Sequence, residues 1–237
     1  MGNLKNSIHV VALILISGLS MSQMNAIAQE QSADEWLDKM ADAVIEAGTE
    51  VETLTTEVEQ TVMSPMGEIT VSGTTTVNFE TGDQYANLET PQGNVEVTIE
   101  NGEGMQKVGG QEIPLSGAQL AQIETETQRN YVYIALNKDS LSAEFLGTET
   151  IDDTEHVKLE IDLTVPVTYF ISTETALPSK ITYVQFNQQT GQDIDVEVQY
   201  SDWQTVSGVT YAFTTETFAN GQKASTGTVS GLTVNKE

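Results

Sequence analysis

Gly93-Asn94-Val95-Glu96-Val97-Thr98-Ile99-Glu100 puts Val95, Val97 and Ile99 on one side of an extended chain and Glu96, Thr98 and Glu100 on the other. A period of two with one wet face reads as a strand of an antiparallel sheet. Asn101-Gly102 follows, a pair that tolerates the positive φ values of a tight hairpin. The alternation recurs in Val157-Lys158-Leu159-Glu160-Ile161-Asp162-Leu163 and in Ile194-Asp195-Val196-Glu197-Val198-Gln199-Tyr200. Asn220-Gly221 marks another hairpin, between residues 211–219 and 222–230, and Thr81-Gly82-Asp83 an earlier turn. Roughly ten or eleven strands are expected in all, with ends defined to within a few residues.

Two helices interrupt the strands. Ser32-Ala33-Asp34-Glu35 has the form of a capping box, and Trp36, Leu37, Met40, Val44 and Ala47 then make an apolar stripe that Gly48 ends. A shorter helix is expected over 116–127, with Leu120 and Ile123 on its apolar side. It falls between two blocks of strands, so it should lie across the sheet, and both helices are candidate lids.

Residues 1–28 read as a secretory signal. Lys5 supplies the positive start, 10–19 the apolar run and Ala26-Ile27-Ala28 the cleavage site. The apolar run is too short to span a bilayer comfortably. The mature chain is therefore expected to be a single soluble periplasmic domain, residues 29–237. It has no cysteine, hence neither a lipid-attachment cysteine nor disulfides. Removing 1–28 takes away Lys5 and no acid, which leaves eight basic side chains against 35 acids, a formal charge of −27. Nucleic acid is excluded as a partner, because phosphate binding needs clustered Lys and Arg and Arg129 is the only arginine. Docking to an anionic membrane is disfavoured for the same reason. Self-repulsion on this scale is screened by salt, which fits a halophilic source.

Catalytic constellations do not stand out. His156 is the only histidine after residue 28, so with no cysteine a structural zinc site is out of reach. Set after Asp152-Asp153-Thr154-Glu155, it reads as a solvated turn histidine, and no G-x-S-x-G elbow offers it a nucleophile. Asp152, Asp153 and Glu155 read as a charged turn, since the twelve-residue calcium loop is missing. Gly102, Gly104, Gly109 and Gly110 read as hairpin glycines, with no strand-to-helix junction to cradle a phosphate. Met40, Met63, Met66 and Met105 are adaptable apolar side chains that suit either a core or a mobile pocket.

The order of these elements resembles the periplasmic lipoprotein carriers and the wider superfamily of lipoprotein-sorting domains. The likeness is carried by Val58-Glu59-Gln60 in the first strand, Gly73-Thr74-Thr75-Thr76-Val77 in the second, and Asn101-Gly102 where the family has Asp-Gly. Leu177-Pro178-Ser179-Lys180-Ile181 and Tyr200-Ser201-Asp202-Trp203, continuing to Val206-Ser207-Gly208-Val209, resemble later strand and hairpin segments. The resemblance implies a mainly β fold, an unclosed antiparallel β-barrel of about eleven strands with helices covering its mouth. It also implies a hydrophobic cavity that takes up the acyl chains of a lipoprotein, with no cofactor. The carriers close the second strand with an Arg-Pro pair that latches the lid. Phe79-Glu80-Thr81-Gly82 stands there in this chain, and Arg129 does not take over that role by sequence alone.

The functional expectation is a lipid- or lipoprotein-binding protein, a carrier or sensor, with Trp36, Met40, Val44, Leu120 and Ile123 as the lid residues that meet the ligand. Its partners would be an acylated lipoprotein or lipid, with an outer-membrane receptor or inner-membrane release complex as further candidates. The alternative is a non-carrier envelope interaction module on the same fold, marked by an exposed apolar patch outside the barrel. No enzyme is expected.

Overall fold

In the computed structural model, which describes residues 33–64, 67–187 and 191–235, the alternating segments form one antiparallel sheet. Residues 1–28, the Ser32 cap and Met66 lie outside the described residues. The first six strands are β1 (Thr53–Ser64), β2 (Gly67–Asn78), β3 (Gln84–Thr90), β4 (Gly93–Glu100), β5 (Glu103–Val108) and β6 (Gln111–Pro114). Seven more follow: β7 (Ala143–Ile151), β8 (Thr154–Ile161), β9 (Val167–Ser172), β10 (Pro178–Asn187), β11 (Gln192–Val206), β12 (Val209–Ala219) and β13 (Gln222–Val234). The helices are α1 (residues 33–44), α2 (Gly117–Gln128) and α3 (Tyr131–Asn137).

The strand order is β6-β5-β4-β3-β2-β1-β13-β12-β11-β10-β9-β8-β7. Every neighbour is a sequence neighbour except β1 and β13, which pair in the middle. The chain leaves the sheet once, between β6 and β7, and those two strands form the open edges. The barrel is therefore unclosed, as expected, and the segment carrying α2 and α3 crosses its opening. Thirteen strands replace the expected ten or eleven. The hairpin pairs sit where the sequence puts them, with Asn101-Gly102 at φ 53° and 78° and Asn220-Gly221 at 50° and 75°. Register shifts at Glu57/Val58, Phe145/Gly147, Pro178/Lys180 and Thr217/Phe218 bend the sheet around its concave side.

The sheet is packed unevenly. Leu37, Met40, Ala41 and Val44 of α1 and Tyr131, Val132, Ile134 and Ala135 of α3 are buried against the concave face of the C-terminal strands. There they meet Val157, Leu159 and Ile161 of β8 and Val167, Tyr169 and Ile171 of β9. Burying side chains the size of Leu37, Met40 and Val44 contributes about 1.5–3 kcal/mol each. α1 ends at Val44, three residues before the expected limit, because Ile45 bridges to Val209 and Glu46 N–H donates to the Gly208 carbonyl at 2.8 Å. Ala47 is accordingly exposed.

The N-terminal strands have no such cover. In β4, Val95 and Val97 are only half-buried and Ile99 alone is buried. The helix over this half, α2, has the expected position and a full capping box at Ser116, yet it buries no residue. α3 has no counterpart in the sequence expectation. Its signal is Asn130 as N-cap, accepting from Val132 N–H at 2.8 Å, followed by apolar residues at 131, 134 and 135.

Candidate functional site

The inside of the barrel is neither solid nor empty. A cavity of about 330 Å³ lies between the corner joining α2 to α3 and the concave faces of β1 and β10 to β13. Its aliphatic wall includes Val58, Ile181, Val198 and Val229. Its aromatic wall is Tyr131, Tyr183, Tyr200 and Tyr211. Tyr131 is the hub, with ring centroids 5.3 Å from Tyr200, 5.0 Å from Trp203 and 5.4 Å from Tyr211. Its hydroxyl accepts from Ala212 N–H at 2.9 Å, which ties α3 to β12. Burial pushes the phenols of Tyr131 and Tyr200 well above the ordinary value, with neighbouring tyrosines adding a smaller push, and burial raises Tyr211 against the opposing pull of hydrogen bonds to Asn130 and Tyr131. These rings are neutral at any physiological pH.

Arg129 lines the cavity at the corner between α2 and α3. It is 7 % exposed, and its guanidinium lies 3.8 Å from the centroid of the Tyr183 ring. Its backbone carbonyl accepts from the Tyr169 hydroxyl at 2.6 Å. Among the described residues its guanidinium donates no hydrogen bond and joins no ion pair.

A row of concave-face positions leads away from this cavity across the N-terminal strands. Register places Val58 beside Gly73, Gly73 beside Leu88, Leu88 beside Val95 and Val95 beside Val108. Leu88, Val95 and Val108 are half-buried, so the row forms an apolar trough open to solvent. Gly73 makes the trough's floor close to its neighbour. Any Cβ there would stand 2.0 Å from the Asn87 carbonyl oxygen.

A second cleft, about 420 Å³, runs under α2 and is lined by Phe79, Ile99, Leu120, Ile123 and Tyr133 among others. Gln128 also lines it, and its buried Oε1 has no hydrogen-bond partner. Gln84 Nε2 donates to Thr127 Oγ1 at 2.8 Å and is one of the few polar ties from the sheet to α2.

The five residues expected to form one lid are therefore split. Leu120 and Ile123 sit over the second cleft. Met40 and Val44 have no exposed surface and are core residues of α1, so in this conformation they cannot touch a ligand. Trp36 is half-buried at the edge of that core, with Lys39 Nζ 4.4 Å over its ring. The residues that do line the cavity, Arg129 and the tyrosines, were missed. Tyr200 was legible as the end of an alternating strand, but placing Tyr131 beside it required α3.

His156 corrects the sequence reading. It is 3 % exposed, on β8 rather than in a turn, because the turn is made by Asp152 and Asp153 at φ 49° and 65°. Its Nδ1 faces the Thr154 carbonyl at 2.9 Å and its Nε2 faces Ser179 Oγ at 2.5 Å. A carbonyl can only accept, so Nδ1 carries a proton, and in the neutral ring Nε2 then accepts from the serine.

No described protein family matches the sequence, and no curated protein matches it either. Solved structures do match the fold. A LolA superfamily protein from Nitrosomonas europaea superimposes with a TM-score of 0.60 at 14% identity, over 86% of this chain and 94% of that one. A domain assigned as an outer-membrane lipoprotein-sorting protein from Vibrio parahaemolyticus gives 0.58 at 10% identity, over 87% and 94%. A DUF1329 family protein from Desulfovibrio piger gives 0.59 at 11% identity, over 87% and 93%. The fold is that of the LolA superfamily, as the sequence resemblance implies. Among the described residues no helix is long and apolar enough to cross a membrane.

Proposed function

We propose that this protein is an exported, periplasmic carrier or sensor that binds the acyl part of a lipid or lipoprotein inside its open barrel. The observation that carries the reading is the cavity walled by aliphatic side chains and neutral tyrosines, continuous with an uncovered apolar trough, on a lipoprotein-sorting fold. Each methylene moved from water into such a site contributes about 0.8 kcal/mol, so a short stretch of acyl chain is enough to drive binding. The cavity itself is at the small end of ligand pockets, which run from about 300 to 1,000 Å³. It suits one chain, and a bulkier cargo would use the trough and the cleft beneath α2, with Leu120 and Ile123 as lid residues. No step of this needs a catalytic group.

Native mass spectrometry of the protein purified in high salt from the envelope of an expressing host, with lipid extraction alongside, tests the reading. A bound acylated species is expected. A clean unliganded mass that also fails to take up an added acyl probe overturns it.

A second reading rests on a different surface. Val184 and Phe186 point away from the concave face of β10 and are 49% and 60% exposed. Val184 also borders an outer groove of about 750 Å³ with Val165, Pro166 and Phe218. This patch favours an interaction module that contacts another envelope protein, and it is the surface to mutate should no lipid be found.

A further inference from the structure

The only arginine of a chain with 35 acidic residues is 7 % exposed and lines the cavity, and among the described residues no group accepts a hydrogen bond from its guanidinium. A guanidinium carries five N–H donors and is always charged, so one that faces a cavity without a protein acceptor is available to an anionic ligand. The Tyr183 ring covers one of its faces, while the side chain borders the cavity. Among the described residues no carboxylate forms an ion pair with Arg129, although Glu59 and Glu126 line the same cavity. The nearest candidate on the same helix, Glu126, is exposed, and its Oε1 accepts instead from Gln122 Nε2 at 3.0 Å. The backbone around Arg129 is fully committed, since its carbonyl accepts from Tyr169 and its N–H donates back to Thr125 at 3.2 Å. The guanidinium is therefore held in position while its donors stay free.

From this arrangement we infer that Arg129 binds the anionic head of a single-chain amphiphile, a carboxylate or a phosphate, whose hydrocarbon tail runs past Val58 into the trough of Leu88, Val95 and Val108. The inference rests on the lipid-binding reading and sharpens it, because it fixes both the class of ligand and its direction. A planar guanidinium matches a carboxylate or phosphate with paired N–H donors, and in a cavity with neutral aromatic walls that charge-assisted pair is stronger than in water. Glu59 and Glu126 line the same cavity and oppose an anion there, so the paired contact with Arg129 has to outweigh them. A ligand of this kind is selected by its head, whereas an apolar cavity alone would take any chain.

Isothermal titration calorimetry with dodecanoate, dodecyl phosphate and dodecan-1-ol tests this. The wild-type protein should bind at least one of the two anions about tenfold or more tighter than the alcohol of equal chain length. The anion that binds tighter identifies the head group. In Arg129→Met the ratio of anion to alcohol should fall to near one with alcohol binding retained, and Arg129→Lys should keep part of it. Equal wild-type binding of anions and alcohol, or an unchanged ratio in Arg129→Met, overturns the role of Arg129 and leaves lipid binding standing. Binding of none of the three overturns the lipid reading as well. Should circular dichroism show that Arg129→Met fails to fold, the wild-type ratio and Arg129→Lys decide the matter.

Discussion

The Tyr169 hydroxyl donates to the Arg129 carbonyl across 2.6 Å and pins the corner between α2 and α3 to β9. Both groups are buried, so removing the donor leaves a carbonyl with no replacement from water. Tyr169→Phe should lower unfolding free energy by about 1–3 kcal/mol, read as a reduced urea midpoint at unchanged slope. The same variant loosens the backbone that carries the guanidinium, so its preference for anionic over neutral chains should weaken. A variant with wild-type stability would show that the corner is held by packing alone.

Gly73 tests how the trough is built. Its φ of 153° already disfavours other residues, and an added Cβ would stand 2.0 Å from a backbone oxygen that cannot swing aside. Gly93 shares the strained backbone, φ 118°, but has open space around it. Gly93→Ala should cost about 1–3 kcal/mol from strain, whereas Gly73→Ala adds the clash and should cost more. Comparing their denaturant midpoints isolates the close approach of β2 and β3. Equal losses would count against it.

Much of the fold could be read in the sequence because alternation is a local property. Val95, Val97 and Ile99 do share the concave face, and Ile194, Val196, Val198 and Tyr200 do share another stretch of it. What alternation does not report is how deeply a face is covered. Val95 and Val97 alternate as cleanly as Leu159 and Ile161, yet only the latter pair lies under α1 and α3. The same gap hides how much of α1 is core. Met40 and Val44 look like a cover over a pocket in sequence, but a stripe that continues through Leu37 and Ala41 is wide enough to be wholly buried. Arg129 was visible as the sole arginine, while its position depends on contacts with Tyr169 and Tyr183, some 40 and 54 residues away along the chain.

Alkaline pH should unfold the protein through its tyrosines. Burial raises the phenols of Tyr131, Tyr169, Tyr183, Tyr200 and Tyr211 above the ordinary value of 10.0. The unfolded chain therefore releases these protons first, at about pH 10, and the folded state holds them. Their stabilising contribution is complete below that pH and is lost progressively as pH rises above it. Absorbance at 295 nm should show these five phenols ionising together with the loss of structure. Ionisation of all five in a protein that remains folded near pH 10 would contradict their burial.

Salt should stabilise the fold. A formal charge of −26 repels itself, and the few cations are shared, as Lys180 is between Glu149 at 3.7 Å and Glu197 at 3.2 Å. Raising NaCl from 0.1 to 1 M shortens the screening length from about 10 to 3 Å, which removes more repulsion than attraction in so acidic a chain. Tm should rise, each kcal/mol of stability appearing as about 2–4 °C for a domain of this size. A Tm that is flat or falls across the series would mean that local ion pairs outweigh the net charge.

α2 is the element most able to open. It buries no residue, whereas α3, which is shorter, buries four. Local opening free energy follows buried apolar contact, so α2 amides should exchange with deuterium well before those of α3. Leu120, which packs where a Cβ on Gly104 would come within 2.6 Å of its Cδ2, and Ile123 supply most of α2's apolar hold on the sheet. The double variant Leu120→Ser with Ile123→Ser should cost only about 1–3 kcal/mol in global stability, since both side chains start half-exposed. It should nevertheless speed exchange in α2 and weaken capture of dodecanoate. If dodecanoate binds and leaves α2 exchange unchanged in the wild type, α2 is not part of the path by which a chain enters. Protection of α2 by the ligand would make it the moving cover that α1, fixed in the core, cannot be.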